Sequence, residues 1–219
     1  ILDRLKEFTI VFGKAQINAG ADALNVCEHI TADLIRPEAY STYLLHVDQQ
    51  IKAELSVPII LHCCGKTIDR IDLFNQSGFE CFNFESANDA AEMREKATVS
   101  LCGNINNPNT ILSGTPEDVE QEVFYALDSG VNLLAPECAA PVNGKLANVI
   151  AVREARDRYY EGARIGEGLT VSLGKIGTQP VPVKSRTKAK NVAKLELTPE
   201  LREIYESVVK MKKGETAPL

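Results

Sequence analysis

An α/β fold built on a parallel sheet is what this sequence predicts: a (β/α)8 barrel, represented by its five C-terminal βα units. Two observations carry that prediction. Short apolar, β-rich runs alternate with amphipathic helical stretches from residue 20 to 161, which is the pattern of repeated βα units. The chain also opens at Ile1, without Met, on residues 2–16 that already read as the interior of an amphipathic helix. A complete barrel needs about three further units, on the order of 120 residues, and a start inside a helix places them upstream. Five units taken alone also suit an open doubly wound sheet, so that alternative stands at this point.

The strands are expected at residues 22–26, 58–62, 80–85, 99–103 and 131–135, each buried on both faces as a parallel strand should be. Helical stretches follow them at 37–54, 67–76, 88–96, 116–128 and 147–161. The helix at Pro116 has the clearest start: Thr115 can cap the free N–H groups, proline fits the first helical position, and Glu117 and Asp118 favour the positive end of the dipole. After Gly162 the periodicity stops, and Gly166, Gly168, Gly174, Gly177, Pro180 and Pro182 lead into a basic run. The expected organisation is a partial barrel at 1–163, a linker at 164–196 and a further helical element at 197–219. In that last segment Thr198 caps, Pro199 takes the first position, and Leu201, Ile204, Tyr205, Val208 and Met211 fall at helical spacing. One helix cannot bury such a face alone, so a domain cut off at Leu219 is expected.

Composition narrows the function classes. With 44% apolar residues and a net charge of -6, the 219-residue chain reads as globular and acidic, which argues against nucleic acid or an anionic membrane surface as partner. The basic run from Lys184 to Lys194 reads as solvated linker. No apolar stretch approaches the roughly 20 residues of a bilayer span, and a cytoplasmic location is expected. The six cysteines are unevenly spaced and lie mostly in apolar runs, unlike a secreted disulfide framework. Reduced thiols and thiolate ligands are the readings to test.

The strongest local signal is Leu61-His62-Cys63-Cys64-Gly65, where a strand runs out into the loop on which barrels place their chemistry. Side chains alternate along a strand, so His62 and Cys64 share one face and Cys63 takes the other. An imidazole and a thiolate converging in this way suit Zn²⁺. Cys138, 74 positions after Cys64 in Ala135-Pro136-Glu137-Cys138-Ala139, lies past another strand end and is the third candidate ligand. Taken singly, a histidine is more often a hydrogen-bonded structural residue and a cysteine a small buried hydrophobe. Cys27, Cys81 and Cys102 lie within strands and are expected in the core, and His46 in a helix is packed or solvated. Glu85, ending Phe82-Asn83-Phe84-Glu85, is either a solvated helix-start charge or a labile fourth ligand or substrate contact. His29 is either pocket lining or a loop cap. Asn104 and Asn106 are polar substrate contacts or turn formers.

These residues resemble the uroporphyrinogen decarboxylase superfamily, and within it the methylcobamide:coenzyme M methyltransferases and their corrinoid-dependent relatives. The resemblance runs from about Gly20 to Tyr160, through Gly20-Ala21-Asp22-Ala23, Pro58-Ile59-Ile60-Leu61-His62, Gly103-Asn104-Ile105-Asn106 and Gly114-Thr115-Pro116-Glu117-Asp118-Val119. The methyltransferase branch is marked by a His-x-Cys-Gly element and a later cysteine that together hold zinc; His62, Cys64 with Gly65, and Cys138 match it. The resemblance implies a TIM barrel and a zinc-dependent methyltransferase. Such an enzyme moves a methyl group between a corrinoid (cobamide) cofactor, on a separate or fused domain, and a small substrate or a coenzyme M-like thiol.

The stretch from Leu197 through Glu215 looks like the first helix of the helical cap preceding a corrinoid-binding domain, as in chloromethane-type fusions. The decarboxylases share the barrel without needing the thiolate pair. Their arginine-rich N-terminal motif is absent from this chain, so uroporphyrinogen decarboxylation in tetrapyrrole synthesis remains an alternative. A noncatalytic barrel fragment serving as a binding module is the other.

Overall fold

Every expected apolar run forms a strand. In a computed structural model, which describes residues 1–165, the order is α1 (Leu2–Asn18), β1 (Leu24–Glu28), α2 (Pro37–Tyr43), α3 (Leu45–Glu54), β2 (Ile59–Cys63), α4 (Ile71–Phe74), β3 (Cys81–Phe84), α5 (Ala90–Lys96), β4 (Ser100–Ile105), α6 (Pro116–Asp128), β5 (Leu133–Pro136) and α7 (Leu146–Ile165). Helix α7 takes in the first two positions of the expected linker. The rest of that linker and the expected helical element at 197–219 lie outside the described residues. Among the described residues, no helix is long and apolar enough to cross a membrane.

The five strands pair in parallel in sequential order, β1-β2-β3-β4-β5. A doubly wound sheet reverses its strand order at a switch point, and none occurs among the described residues. Right-handed crossovers in unbroken order put every helix on one face. That face holds the main core, in which Leu24, Ile59, Leu61, Phe82, Phe84 and Leu101 from the strands meet Tyr40, Val47, Ile51, Phe74 and Met93 from the helices. The opposite face carries a lateral row of Cys27, His62, Asn83 and Cys102, paired strand to strand. Gly103 sits at φ 130°, and a Cβ there would lie 2.7 Å from the Phe84 carbonyl oxygen. Glycine is what allows β4 to approach β3 so closely.

Several boundaries differ from expectation for identifiable reasons. Strand β1 starts at Leu24, not residue 22, because Gly20 and Ala21 close the end of α1 by donating to the carbonyls of Ile17 and Gln16. Strand β4 runs on to Ile105, since its Asn104 and Ile105 pair with Ala135 and Pro136 despite asparagine's poor strand propensity. Burial on both faces holds throughout β3 but not in β1 or β5, the outer strands of the described sheet. Cys27, expected in the core, is therefore exposed: it points away from the helices and has a neighbouring strand on one side alone among the described residues.

The single helix expected at 37–54 breaks at Leu44 with no glycine or proline to signal it. Across the break the Tyr40 hydroxyl donates to Asp48 Oδ2 at 2.7 Å, a tertiary contact that local propensity does not encode. The stretch expected at 67–76 tightens into a 3-10 turn at Ile68–Arg70 before α4, because the N–H groups of Thr67 and Ile68 are taken by the Asn88 side chain. Helix α6 spans the expected residues, and its start is a full capping box between Thr115 and Asp118. A π-helical turn at Asn107–Leu112, capped by Asn106, follows β4.

Asp48 provides a test of this packing. It is 0% exposed, and its Oδ1 has no hydrogen-bond partner among the described residues. Burial pushes its carboxyl up to about 6, against the lowering effect of the Tyr40 hydroxyl. Glu28 is pushed up to about 7, by burial first and then by the Asp48 charge. Both groups bind protons more tightly folded than unfolded, so the stability they confer is present below the ordinary carboxylate range and is lost as pH rises toward 7. Asp48→Asn keeps the shape and removes the buried charge. It should raise unfolding free energy by about 1–3 kcal/mol at pH 8 and by much less at pH 4.5. Urea titrations at the two pH values check this, and an equal effect at both would remove the buried charge as the cause.

Candidate metal centre

Strand β2 ends with Leu61 and Cys63 fully buried on the helix side, which turns His62 and Cys64 to the opposite face. There His62 Nε2 lies 3.1 Å from Cys64 Sγ, and Cys64 Sγ lies 3.4 Å from Cys138 Sγ. The three ligand atoms fall within 4.8 Å of one another. Cys138 follows β5, and β3 and β4 stand between β2 and β5 in the sheet. In a flat sheet three strand spacings amount to about 14 Å. Thiols from β2 and from beyond β5 meet only because the sheet curls toward this face and the loop after β5 folds inward.

A glycine turn and two buried polar side chains hold those loops. Gly65, at φ 72°, lets the chain turn directly after Cys64; a Cβ there would lie 2.6 Å from Thr31 Oγ1. Asn88 is satisfied at both ends: its Oδ1 accepts from the N–H of Thr67 and Ile68, and its Nδ2 donates to the carbonyls of Gly65 and Glu85. It ties the loop carrying Cys64 to the loop carrying Glu85. Glu137 is 6% exposed; its Oε2 accepts from the Ser86 N–H at 3.0 Å and hydroxyl at 2.5 Å, and its Oε1 accepts from the Asn107 N–H at 2.9 Å. This carboxylate fixes the backbone immediately before Cys138. Neither Asn88 nor Glu137 stood out in the sequence, where polar residues just past strand ends look like ordinary loop residues.

The electrostatics of the pocket oppose a bare thiolate. Burial pushes Cys64 up to about 12, reinforced by the neighbouring Cys138 thiol and Glu85 carboxyl. Cys27 on the adjacent strand is raised by its own desolvation and then by Cys138. A divalent cation between the thiols inverts this preference, because its charge favours the deprotonated sulfur. The donor set fits zinc, which takes imidazole nitrogen and thiolate sulfur in tetrahedral sites. Bond lengths near 2.0–2.1 and 2.3 Å require ligand separations of about 3.6 Å (N to S) and 3.8 Å (S to S). The observed 3.1 and 3.4 Å need to open by only about 0.4–0.5 Å.

The other candidates separate into groups. Glu85, half-buried, stands at the end of β3 beside Cys64, whose thiol it helps to raise. Helix α5 is capped instead by Asp89, which accepts from the Glu92 N–H, so Glu85 does not serve as that cap. Asn104 is buried on the same face, with one long contact at 3.5 Å to the Asn88 carbonyl. Asn106 is engaged in structure: it accepts from the Asn109 N–H, donates to Ser86 Oγ, and its N–H donates to Glu122. His29 is exposed beyond β1, and His46 is exposed on α3. Cys81 and Cys102 are buried.

Glu137→Gln keeps the size of the strut but turns an NH2 toward groups that are themselves donors. The variant should lose about 1–3 kcal/mol of unfolding free energy. Denaturant titration measures it, and unchanged stability would show that the carboxylate does not hold this loop.

Comparisons with known proteins converge on one family. The sequence pattern of the family described as Uroporphyrinogen decarboxylase (URO-D) matches residues 1–159. The methylcobamide:CoM methyltransferase MtaA of Methanosarcina barkeri is 32% identical over 163 residues, 73% of this chain and 48% of the relative. MtbA of Methanosarcina acetivorans, also named a methylcobamide:CoM methyltransferase, is 29% identical over 164 residues with the same coverage. A solved methyltransferase from Methanosarcina mazei superposes with a TM-score of 0.69 at 28% identity, covering 71% of this chain and 47% of that one. The chain spans about half the length of the curated relatives it matches. A singly wound parallel sheet, a family pattern reaching from α1 into α7 and these relatives together place the chain in the uroporphyrinogen decarboxylase family.

Proposed function

We propose that this chain is the zinc-binding part of a corrinoid-dependent methyltransferase, acting between a corrinoid-bound methyl group and a small substrate or thiol acceptor. The observation that carries this reading is the meeting of one imidazole and two thiols on the face opposite the helices, at the strand ends where this architecture places its chemistry. A decarboxylation has no use for a zinc ligand set, whereas a bound zinc is one means of holding a thiol as its thiolate. The relatives named as methylcobamide:CoM methyltransferases support the same branch.

In this reading His62, Cys64 and Cys138 hold zinc and leave a fourth position open. Zinc, when bound, supplies a positive charge that holds an incoming thiol as its thiolate at neutral pH. Glu85, beside Cys64, serves as a labile ligand at that position or contacts the substrate; Asn104 and His29 line the approach, and Asn106, held by Asn109 and Ser86, steadies the loop beside it. The five units form the C-terminal part of an eight-stranded TIM barrel whose interior is the face carrying His62. The segment 197–219 begins the helical cap of a corrinoid-binding domain, which is the macromolecular partner in this reading and resides in the cytoplasm.

Elemental analysis of reductively purified protein should find about one zinc per chain, as three protein ligands with an open position imply. Cys64→Ser and Cys138→Ser should each abolish stoichiometric zinc while leaving the far-ultraviolet circular dichroism unchanged. Zinc that is missing from the wild type, or retained in both variants, would overturn the methyltransferase reading and favour the metal-independent decarboxylase.

A further inference from the structure

His62 is a ligand to zinc only if its Nε2 carries a lone pair, and the sheet contains a device that decides this. Nδ1 of His62 lies 2.6 Å from Oδ1 of Asn83, its lateral neighbour on β3. The Asn83 amide is oriented in turn by β4, because its Nδ2 donates to the Cys102 carbonyl at 3.2 Å. A carbonyl only accepts, so the NH2 of Asn83 must face Cys102 and its oxygen must face His62. An amide oxygen also only accepts, so His62 Nδ1 must carry the proton. In the neutral ring Nε2 then carries the lone pair, and it faces Cys64 Sγ at 3.1 Å.

The two side chains are 7% and 9% exposed, so water has little access to replace either contact. The reference for the whole chain is a backbone carbonyl in the middle of a strand, which neither rotates nor titrates. We infer that Asn83 is a positioning residue for the metal centre, setting the tautomer and ring plane of His62 from the adjacent strand. The inference rests on the zinc reading above, and it adds the group that makes the histidine a competent ligand. Metal-bound histidines commonly donate their second N–H to a carboxylate, a carbonyl or water. Here a neutral amide does so, which fixes the ring without adding negative charge to a pocket that already gathers two thiols and Glu85.

The experiment uses the full chain, reduced and metal-free, as wild type, Asn83→Leu, Asn83→Ala and Asn83→Asp. Leucine keeps the branched shape and heavy-atom count of asparagine, so a folding failure of the alanine variant leaves the comparison intact. Two quantities are read: the tautomer of His62 by long-range proton–nitrogen correlation on histidine-labelled protein, assigned against His62→Gln, and zinc affinity by competition with a chromophoric chelator. Wild type should show the Nδ1–H tautomer. The leucine and alanine variants should show a tautomer mixture and lose about 10- to 100-fold in zinc affinity. Aspartate, which retains an acceptor for Nδ1–H, should restore both the tautomer and most of the affinity. A general packing defect would not be rescued in this way. If leucine and alanine bind zinc as tightly as wild type with His62 unchanged, Asn83 has no such role. If wild type itself binds no zinc, the metal reading falls and takes the inference with it, an outcome visible before any variant is compared.

Discussion

The candidate centre depends on the burial of Cys63. With its side chain at 0% exposure among the helix-side aromatics, β2 has one possible register, and the residues on either side of Cys63 must face the other way. A slip of one residue would drive His62 into a layer lined by Phe82 and Phe84 and release Cys63 toward the rim. The cost of burying an imidazole without its Asn83 partner, together with the loss of apolar burial, closes off that alternative. Two candidate ligands are thus placed by the same force that forms the core, before any metal chemistry is considered.

The third candidate ligand is held by a different kind of contact. Cys138 comes from the far side of the described sheet and must be drawn inward. Glu137 draws it there by gathering donors from the loops after β3 and β4, while Asn88 joins the loops after β2 and β3. Each of these groups is buried and has its hydrogen bonds satisfied, which makes the rim stiff rather than merely close-packed. The division of labour is plain: apolar packing sets the strands, and buried amides and a carboxylate set the loops.

That division also explains what was legible in the sequence. Short continuous apolar runs disclosed the strands, side-chain alternation disclosed the shared face of His62 and Cys64, and local cap chemistry at Thr115 and Pro116 disclosed α6 to the residue. Cys138 was legible because it follows a strand end. Features set by distant partners were hidden. The break at Leu44 depends on packing that places Tyr40 against Asp48, and the exposure of Cys27 depends on which strands flank β1. Asn83 offered one faint sign, a polar residue on an otherwise apolar strand, yet its meaning needed the neighbours His62 and Cys102. Glu137 and Asn88 gave none, since a loop residue's partners lie 20 to 50 positions away in this chain.

The struts around the rim are made entirely of groups that exist without an ion: an amide, a carboxylate, a hydroxyl and backbone N–H donors. Small zinc domains behave in the opposite way, their ligands being scattered until the metal gathers them. Here the three candidate ligands already stand together in the folded chain, so in the zinc reading proposed above loading would be a late, local event and the occupant exchangeable. A chelator would then strip the ion and leave a folded vessel, and the identity of the resident metal in a cell would be decided by supply and by affinity for two sulfurs and a nitrogen rather than by the folding pathway.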